Sequence, residues 1–110
     1  MTSRLTRWGT ALAPAAALLL ANPLSAAAPH TFTVVIDKMK FAPLPDVVHK
    51  GDIIIWDNRD MFRHSATDKG VFDIDLPAGK AVRMRVTKTG TFHFICKYHP
   101  GMKAVLKVAE

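Results

Sequence analysis

The segment TFHFICKYHPGMKAVLKV, residues 91–108, contains the pattern on which both the fold and the candidate site depend. Its first six residues alternate, so that Phe92, Phe94 and Cys96 lie on one side of an extended chain. The Pro-Gly pair that follows predicts a tight turn, and AVLKV at 104–108 predicts a returning strand. Cys96 is therefore expected at the end of a strand and close to a short loop, with its side chain pointing toward the core.

Period-two patterns also occur earlier in the chain, and turn-forming residues separate them. Charged residues at the alternate positions are typical of half-buried antiparallel strands. No stretch after the N-terminal segment predicts a helix of convincing length, and there is no internal repeat. These features predict a single all-β domain, either a sandwich or a barrel. The predicted strands are 31–36, 52–58, 81–86, 91–96 and 104–108.

The N-terminus has the organisation of a secretory signal peptide. Arg4 and Arg7 precede a short apolar run, which is followed by small residues. The run is shorter than the ~20 apolar residues of a membrane-spanning helix, although an uncleaved anchor is the alternative. Cleavage after Ala27 is predicted, giving a signal peptide at 1–27, a domain at 28–110 and no membrane span in the mature protein. We therefore expect a periplasmic protein.

Charge and cysteine content narrow the possible partners. The formal net charge is +6 across 110 residues, without a basic run. Such a distribution favours acidic protein surfaces over nucleic acid, which usually needs a concentrated basic stripe. The chain has one cysteine, so it forms no internal disulfide. In an exported protein, a lone cysteine predicts an intermolecular partner, a free thiol or a metal ligand.

The donor types around the turn favour a metal ligand. Cys96, His99 and Met102 follow one another at equal spacing. A thiolate, an imidazole and a weak thioether suit copper, whereas zinc prefers four firm ligands. One further imidazole is needed, and His64 is its best source, because His93 points to the face opposite Cys96. The alternatives are a buried inert thiol at Cys96 and core packing at Met102.

Several stretches resemble the cupredoxins, in particular the amicyanin-like and plastocyanin-like small blue copper proteins. They are CKYHPGM, HSAT, GDIIIWDNRD and FDIDLPAGKAVRMRVTKTGTFHFIC, and the resemblance extends from about Phe32 to Val108. It implies a Greek-key β-sandwich with one type 1 copper ion. Carried over residue by residue, it implies that the copper ligands are His64, Cys96, His99 and Met102.

The resemblance also implies a function. We expect a monomeric one-electron carrier, not an enzyme, that exchanges electrons with periplasmic redox proteins. A quinoprotein dehydrogenase as donor and a c-type cytochrome as acceptor are expected by family analogy alone. The alternative is a periplasmic copper chaperone or storage protein without redox turnover. Two positions depart from the family pattern: Ala104 replaces a common glycine, and Ser65 replaces an asparagine that holds the ligand loop. A serine hydroxyl can make a shorter version of that hydrogen bond.

The residues around the predicted loop also suggest a docking surface. Met61 and Phe62 precede His64, and they could either form an apolar patch for redox partners or fill the core. Other candidates for the patch are Met39, Phe41, Pro100 and Gly101. Four cations are predicted to form a basic rim that steers an acidic partner, namely Arg59, Arg63, Lys97 and Lys103.

Overall fold

The computed structural model describes Ser3, Gly9 and residues 28–110. The predicted signal peptide lies, apart from those two residues, outside the described residues. Among the residues that are described, no helix is long and apolar enough to span a membrane. The strands there are β1 (Thr31–Asp37), β2 (Lys40–Phe41), β3 (Val48–His49), β4 (Ile53–Asn58), β5 (His64–Asp68), β6 (Phe72–Leu76), β7 (Ala81–Arg85), β8 (Gly90–Ile95) and β9 (Lys103–Ala109).

The strands form two sheets, so the predicted all-β sandwich is confirmed. One sheet has the order β2-β1-β4-β7, and the other has the order β3-β9-β8-β5-β6. The expectation of antiparallel strands holds for most neighbours but is wrong for two pairs, because β1–β4 and β3–β9 are parallel. A tight hairpin forces antiparallel pairing, whereas these partners are joined by long connections that visit the other sheet and can return in either direction.

Alternating apolar residues from both sheets fill the space between them. Trp56 of β4 and Phe94 of β8 have no exposed surface, and their ring centroids are 5.4 Å apart in an edge-to-face contact. Phe41 packs edge-to-face on both rings, with centroid distances of 5.0 Å to Phe94 and 6.1 Å to Trp56. Aromatic pairs of this geometry stabilise a core beyond their buried area. Cys96 and Met102 belong to the same buried cluster, so the ends of their strands are held by the core.

A buried carboxylate closes the end of the sandwich at which β1 begins. Asp52 is 3% exposed and accepts hydrogen bonds from the backbone N–H groups of His49 at 2.8 Å and His30 at 2.9 Å. The N–H of His49, together with that of His30 and the positive potential of both imidazoles, holds the pKa of Asp52 below its usual value despite burial. The charged form of Asp52 therefore joins the start of β1 to the end of β3.

The substitution Asp52→Asn should lower the free energy of unfolding by about 2 kcal/mol at pH 7, because a charge-assisted hydrogen bond is lost. The folded-state pKa lies below the unfolded value of about 3.9, so the carboxylate stabilises the fold above that pH and loses its effect as pH falls through the folded-state pKa. Urea unfolding at several pH values measures this, with the exposed Asp46→Asn as control. A difference between variant and parent that grows toward low pH would contradict the prediction.

The turn between β1 and β2 is strained. Its two central residues, Lys38 and Met39, have φ angles of 52° and 62°. Two-residue turns of this type favour Asn-Gly, because side chains with a Cβ disfavour positive φ. Both backbone N–H groups of the turn are bound by the Asp60 carboxylate, at 2.8 and 3.0 Å. These hydrogen bonds offset the strain and hold the turn against the β4–β5 loop.

The substitution Met39→Gly should therefore raise the free energy of unfolding by roughly 1 kcal/mol, since it relieves the left-handed strain and keeps the backbone bond to Asp60. The matched control is Met39→Ala, which removes the same side chain but retains the Cβ and should give no such gain. Thermal unfolding of the two variants decides the matter. Equal stability of both variants would show that the turn stores no strain.

Candidate metal centre

The candidate site lies at the end of the sandwich where the β8–β9 and β4–β5 connections meet. Cys96 directly follows β8, and His99 and Met102 lie on the connection to β9. His64 is the first residue of β5, which pairs with both β6 and β8. The site therefore combines one ligand candidate from β5 with three from a loop that begins 32 residues later.

The structure brings three of the four predicted donors together. The Nδ1 atoms of His64 and His99 are 3.0 Å apart, and Cys96 Sγ lies 3.8 Å from the first and 3.4 Å from the second. His64 is fully buried and Cys96 is 3% exposed, whereas His99 is only partly buried. Within the described part of the chain, these residues form the one group of three or more nitrogen, sulfur or carboxylate donors with this proximity.

The spacing of the three atoms suits a metal ion. A triangle with these sides has a point about 2 Å from every corner, which is close to typical metal–imidazole bond lengths. Two imidazoles and one thiolate in a three-coordinate arrangement are the strong ligands of blue copper sites. No carboxylate belongs to the group, so hard cations such as Mg²⁺ and Ca²⁺ are poor candidates. The donor set therefore supports a site for one copper ion.

The loop that carries the other ligand candidates is closed by two backbone hydrogen bonds. Cys96 N–H donates to the Met102 carbonyl at 2.8 Å, and Met102 N–H donates to the His99 carbonyl at 3.2 Å. Gly101 lies between them with a φ of 87°, a conformation that favours glycine. Met102 is 6% exposed and packs in the core cluster. Its role as a weak thioether ligand stays a prediction.

Asp60 orients the His64 ring, and the sequence patterns did not single out this residue. Asp60 Oδ2 lies 2.7 Å from His64 Nε2, so the ring donates from Nε2 and presents the Nδ1 lone pair to Cys96 and His99. Burial disfavours the charged carboxyl, but the N–H groups of Met39 and Lys38 and the His64 ring together hold the pKa of Asp60 below its usual value. The i, i+4 spacing of Asp60 and His64 was the available signal.

Asn58 fixes the same loop from beneath and was also missed. Its side chain is fully buried, and Nδ2 donates to the carbonyls of Phe62 at 2.9 Å, Leu76 at 2.9 Å and Pro77 at 3.2 Å. Its Oδ1 accepts the Asp60 N–H at 3.0 Å. A buried asparagine with all these partners holds the β4–β5 loop against the β6–β7 turn. The position of Asp60, and through it that of His64, depends on this contact.

Ser65 holds the ligand loop, a point that the departure from the family's asparagine had left open. Its Oγ, in a fully buried side chain, accepts the Lys97 N–H at 3.0 Å. Lys97 follows Cys96, so the hydrogen bond restrains the peptide next to the thiol. The serine therefore supplies the hydrogen bond that the resemblance assigned to a longer asparagine side chain.

The apolar residues near His99 separate into two groups. Met61 and Phe62 are 89% and 57% exposed, and the Phe62 ring centroid is 6.2 Å from that of His99. Phe41, by contrast, packs against the core cluster and does not belong to the surface. We call the exposed residues Met61, Phe62 and Tyr98, together with the accessible edge of His99, the loop face. The Phe62–His99 contact joins this exposed surface to the partly buried ligand candidate.

Three of the four predicted rim cations form ion pairs. Arg59 bonds to Asp57 at 2.9 Å, Arg63 to Asp75 at 2.7 Å, and Lys97 to Asp73 at 3.0 Å. The carboxylates offset much of the positive charge beside the loop face. The rim is therefore less basic than the sequence suggested.

The comparisons with known proteins agree with this site. The chain belongs to the cupredoxin-like domain family, whose model matches residues 10–108. Within that family it is amicyanin-like. A reduced amicyanin variant is 27% identical with a TM-score of 0.61, covering 72% of this chain and 82% of that chain. A reduced Cu(I) form of another variant at pH 4 is 28% identical with a TM-score of 0.61, covering 74% and 85%.

A third similar structure, the Cu(I) form of a further amicyanin variant, is 28% identical with a TM-score of 0.62 and covers 74% of this chain and 85% of that chain. No curated protein matches the chain significantly. The resemblance inferred from the ligand loop and the strand patterns is thus confirmed at the level of the family.

Proposed function

We propose that this protein is a small blue-copper electron carrier that holds one copper ion through His64, Cys96, His99 and Met102. One observation carries the proposal above the others. Two imidazole nitrogens and a thiol from distant parts of the chain converge within 3.0–3.8 Å at the end of a cupredoxin sandwich. The amicyanin titles that name Cu(I) support the choice of metal.

Each of the four proposed ligands has a different role in the site. Copper, when bound, supplies the one-electron Cu(II)/Cu(I) couple. His64 is held from both sides, by the core and by Asp60, so it keeps its place when the charge of the site changes. Cys96 supplies a soft thiolate from the end of a strand, and Met102 a weak thioether. His99 is the least buried of the four, so it offers the shortest route for an electron to the surface.

The first test is the optical and EPR spectrum of the purified protein during titration with Cu(II). An intense blue thiolate-to-copper band, narrow copper hyperfine splitting and saturation at one equivalent are expected. A pale complex with ordinary splitting would show that Cys96 does not bind the metal, and the proposal would fail.

We propose the loop face as the docking surface for redox partners. Exposed apolar side chains around the least buried ligand exclude water and shorten the electron path to a partner. A quinoprotein dehydrogenase as donor and a c-type cytochrome as acceptor remain proposals by family analogy. Reduction of the copper-loaded Met61→Asp variant by a candidate donor tests this surface. A slower second-order rate with an unchanged spectrum is expected, and an unchanged rate would exclude Met61 from docking.

Export to the periplasm, cleavage after Ala27 and a mature domain of residues 28–110 complete the proposal. The N-terminal charge and apolar pattern support it. N-terminal sequencing of protein recovered from the periplasm of a bacterial host is the measurement. An intact Met1 would favour the anchor alternative.

The copper chaperone or storage alternative differs in how fast it releases metal. The burial of His64 and Cys96 argues against rapid transfer, because a ligand exchange needs access to the donors. Transfer of copper to an external chelator measures this directly. Complete transfer within seconds, together with slow electron exchange, would favour the chaperone.

A further inference from the structure

We propose that Thr67 and Asp73 are positioning residues of the metal centre, although neither touches it. They complete a closed hydrogen-bonded network with Ser65 and Lys97 that fixes the peptide after Cys96. We call these four side chains, with the Lys97 backbone N–H, the Ser65–Asp73 network. The inference rests on the proposed copper site. It assigns the orientation of the ligand loop to residues on the solvent side of the sandwich.

The network starts at the peptide that follows the thiol. Lys97 N–H donates to Ser65 Oγ at 3.0 Å, and its nitrogen belongs to the peptide bond with Cys96. Ser65 in turn is joined by a peptide bond to His64. The hydrogen bond from Lys97 N–H to Ser65 Oγ therefore joins the residue after His64 to the residue after Cys96. These two ligand candidates lie 32 residues apart in sequence. A rotation of either peptide would change the direction of its neighbouring ligand.

The network continues outward along β5 to β6. Thr67 Oγ1 is 2.9 Å from Ser65 Oγ and 2.9 Å from Asp73 Oδ1. Lys97 Nζ reaches the same carboxylate, at 3.1 Å from Oδ1 and 3.0 Å from Oδ2. Lys97 is thus bound at both its backbone and its side chain, and the network returns to the residue at which it began.

The carboxylate decides which way the hydroxyl groups point. The Lys97 ammonium, and then Thr67, hold the pKa of Asp73 below its usual value, so the carboxyl is ionised at neutral pH and can only accept. Thr67 therefore donates its single hydroxyl proton to Asp73, and its oxygen accepts the proton of Ser65. Ser65 is left with its lone pairs facing the Lys97 N–H. Removal of either Thr67 or Asp73 would leave the Ser65 hydroxyl free to rotate.

This network should affect the orientation of the loop more than the stability of the fold. The side chains of Asp73 and Lys97 are 55% and 40% exposed, and ion pairs of such exposure contribute little to unfolding free energy. Asp75, two residues along β6 and opposite Ser65 in the strand register, forms a similarly exposed pair with Arg63 at 2.7 Å but no hydrogen bond with Ser65. Asp75 is therefore a matched control for Asp73.

The experiment compares Thr67→Val, Asp73→Ala and the control Asp75→Ala in the full protein. The first readout is amide hydrogen exchange at Lys97 in the metal-free protein. Exchange should be about five- to tenfold faster in Thr67→Val and Asp73→Ala, which corresponds to a weakened hydrogen bond, and unchanged in Asp75→Ala. The variant Thr67→Ser keeps the hydroxyl and should restore the parent rate.

The second readout is the EPR spectrum of the copper-loaded protein. The hyperfine splitting should change in Thr67→Val and Asp73→Ala and stay at the parent value in Asp75→Ala, while all three variants unfold at similar denaturant concentrations. In a Ser65→Ala background, Thr67→Val should have no further effect, because the network is already interrupted.

The outcomes separate the two proposals. A parent protein without a blue spectrum would overturn the proposed function, yet the exchange of the Lys97 amide would still test the network. A blue parent with the same Lys97 exchange rate and the same EPR spectrum in all variants would overturn the positioning role alone. An equal effect of Thr67→Val with and without Ser65 would also overturn it.

Discussion

Replacement of Cys96 by serine should abolish the intense blue band and leave the protein with, at most, a pale Cu(II) complex. A hydroxyl is a harder and far less acidic donor than a thiol, so it supplies neither the covalency nor the charge of a thiolate. His64 remains in place, since Asp60 holds its ring at 2.7 Å. Visible absorption and EPR after addition of one equivalent of Cu(II) measure the effect.

His93→Ala is the control for this substitution. His93 lies on β8, three residues before Cys96, but its side chain is exposed on the opposite face. This variant should keep the parent spectrum. Far-ultraviolet circular dichroism should show both variants folded without metal, because serine fills nearly the same space. A blue Cys96→Ser protein would mean that the colour arises elsewhere.

The substitution Asn58→Asp should strongly destabilise the fold. The buried Nδ2 that donates to three carbonyl oxygens, at 2.9, 2.9 and 3.2 Å, would become an oxygen facing oxygens. Each buried acceptor left without a donor costs about 1–3 kcal/mol, so a loss of roughly 4 kcal/mol in unfolding free energy is expected. The β4–β5 loop should loosen first, because these bonds attach it to the β6–β7 turn.

The neighbouring substitution Asp57→Asn provides the control, since it changes the same atom in a partly exposed side chain that pairs with Arg59. Its effect should stay within about 1 kcal/mol. Burial raises the pKa of a carboxyl, so the loss in Asn58→Asp should be larger at pH 7 than at pH 4, where protonation restores one donor. Equal urea midpoints for the two variants would show that Asn58 does not hold the loop.

The strands could be predicted where one face of a strand is apolar and the other is polar. β1, β7, β8 and β9 follow that pattern, and all four were predicted. β4 was predicted from its β-branched and aromatic residues, since Ile53, Ile54 and Trp56 are buried without alternation. β5 was missed because His64, Ser65 and Ala66 are all buried, so no alternation marks it. The residues of β5 serve the site as well as the core. β2 and β3 have two residues each, which is too short for any period to be recognised.

β6 is a different kind of miss. Its residues Phe72, Ile74 and Leu76 alternate with Asp73 and Asp75, so the signal was present. The outward carboxylates of Asp73 and Asp75 also determine the charge pairing beside the site. They pair with Lys97 and Arg63, which the sequence had suggested as free charges on a basic rim. Charge pairing depends on strands adjacent in space, and alternation along one strand carries no information about it.

Local features of this protein follow from the sequence: the period of the core strands, the turn after His99, and the thiol, imidazole and thioether donors at 96, 99 and 102. Each depends on residues within a few positions of one another, where chain geometry dictates which side chains share a face. Only the folded chain shows which carboxylate orients His64, that Met61 is exposed while Phe41 is partly buried against the core, and that Ser65 connects through Thr67 to Asp73. None of these features follows from side-chain periodicity: the path of the β4–β5 loop brings Asp60 to His64, the facing sheet covers Phe41, and the pairing of β5 with β6 places Thr67 beside Asp73.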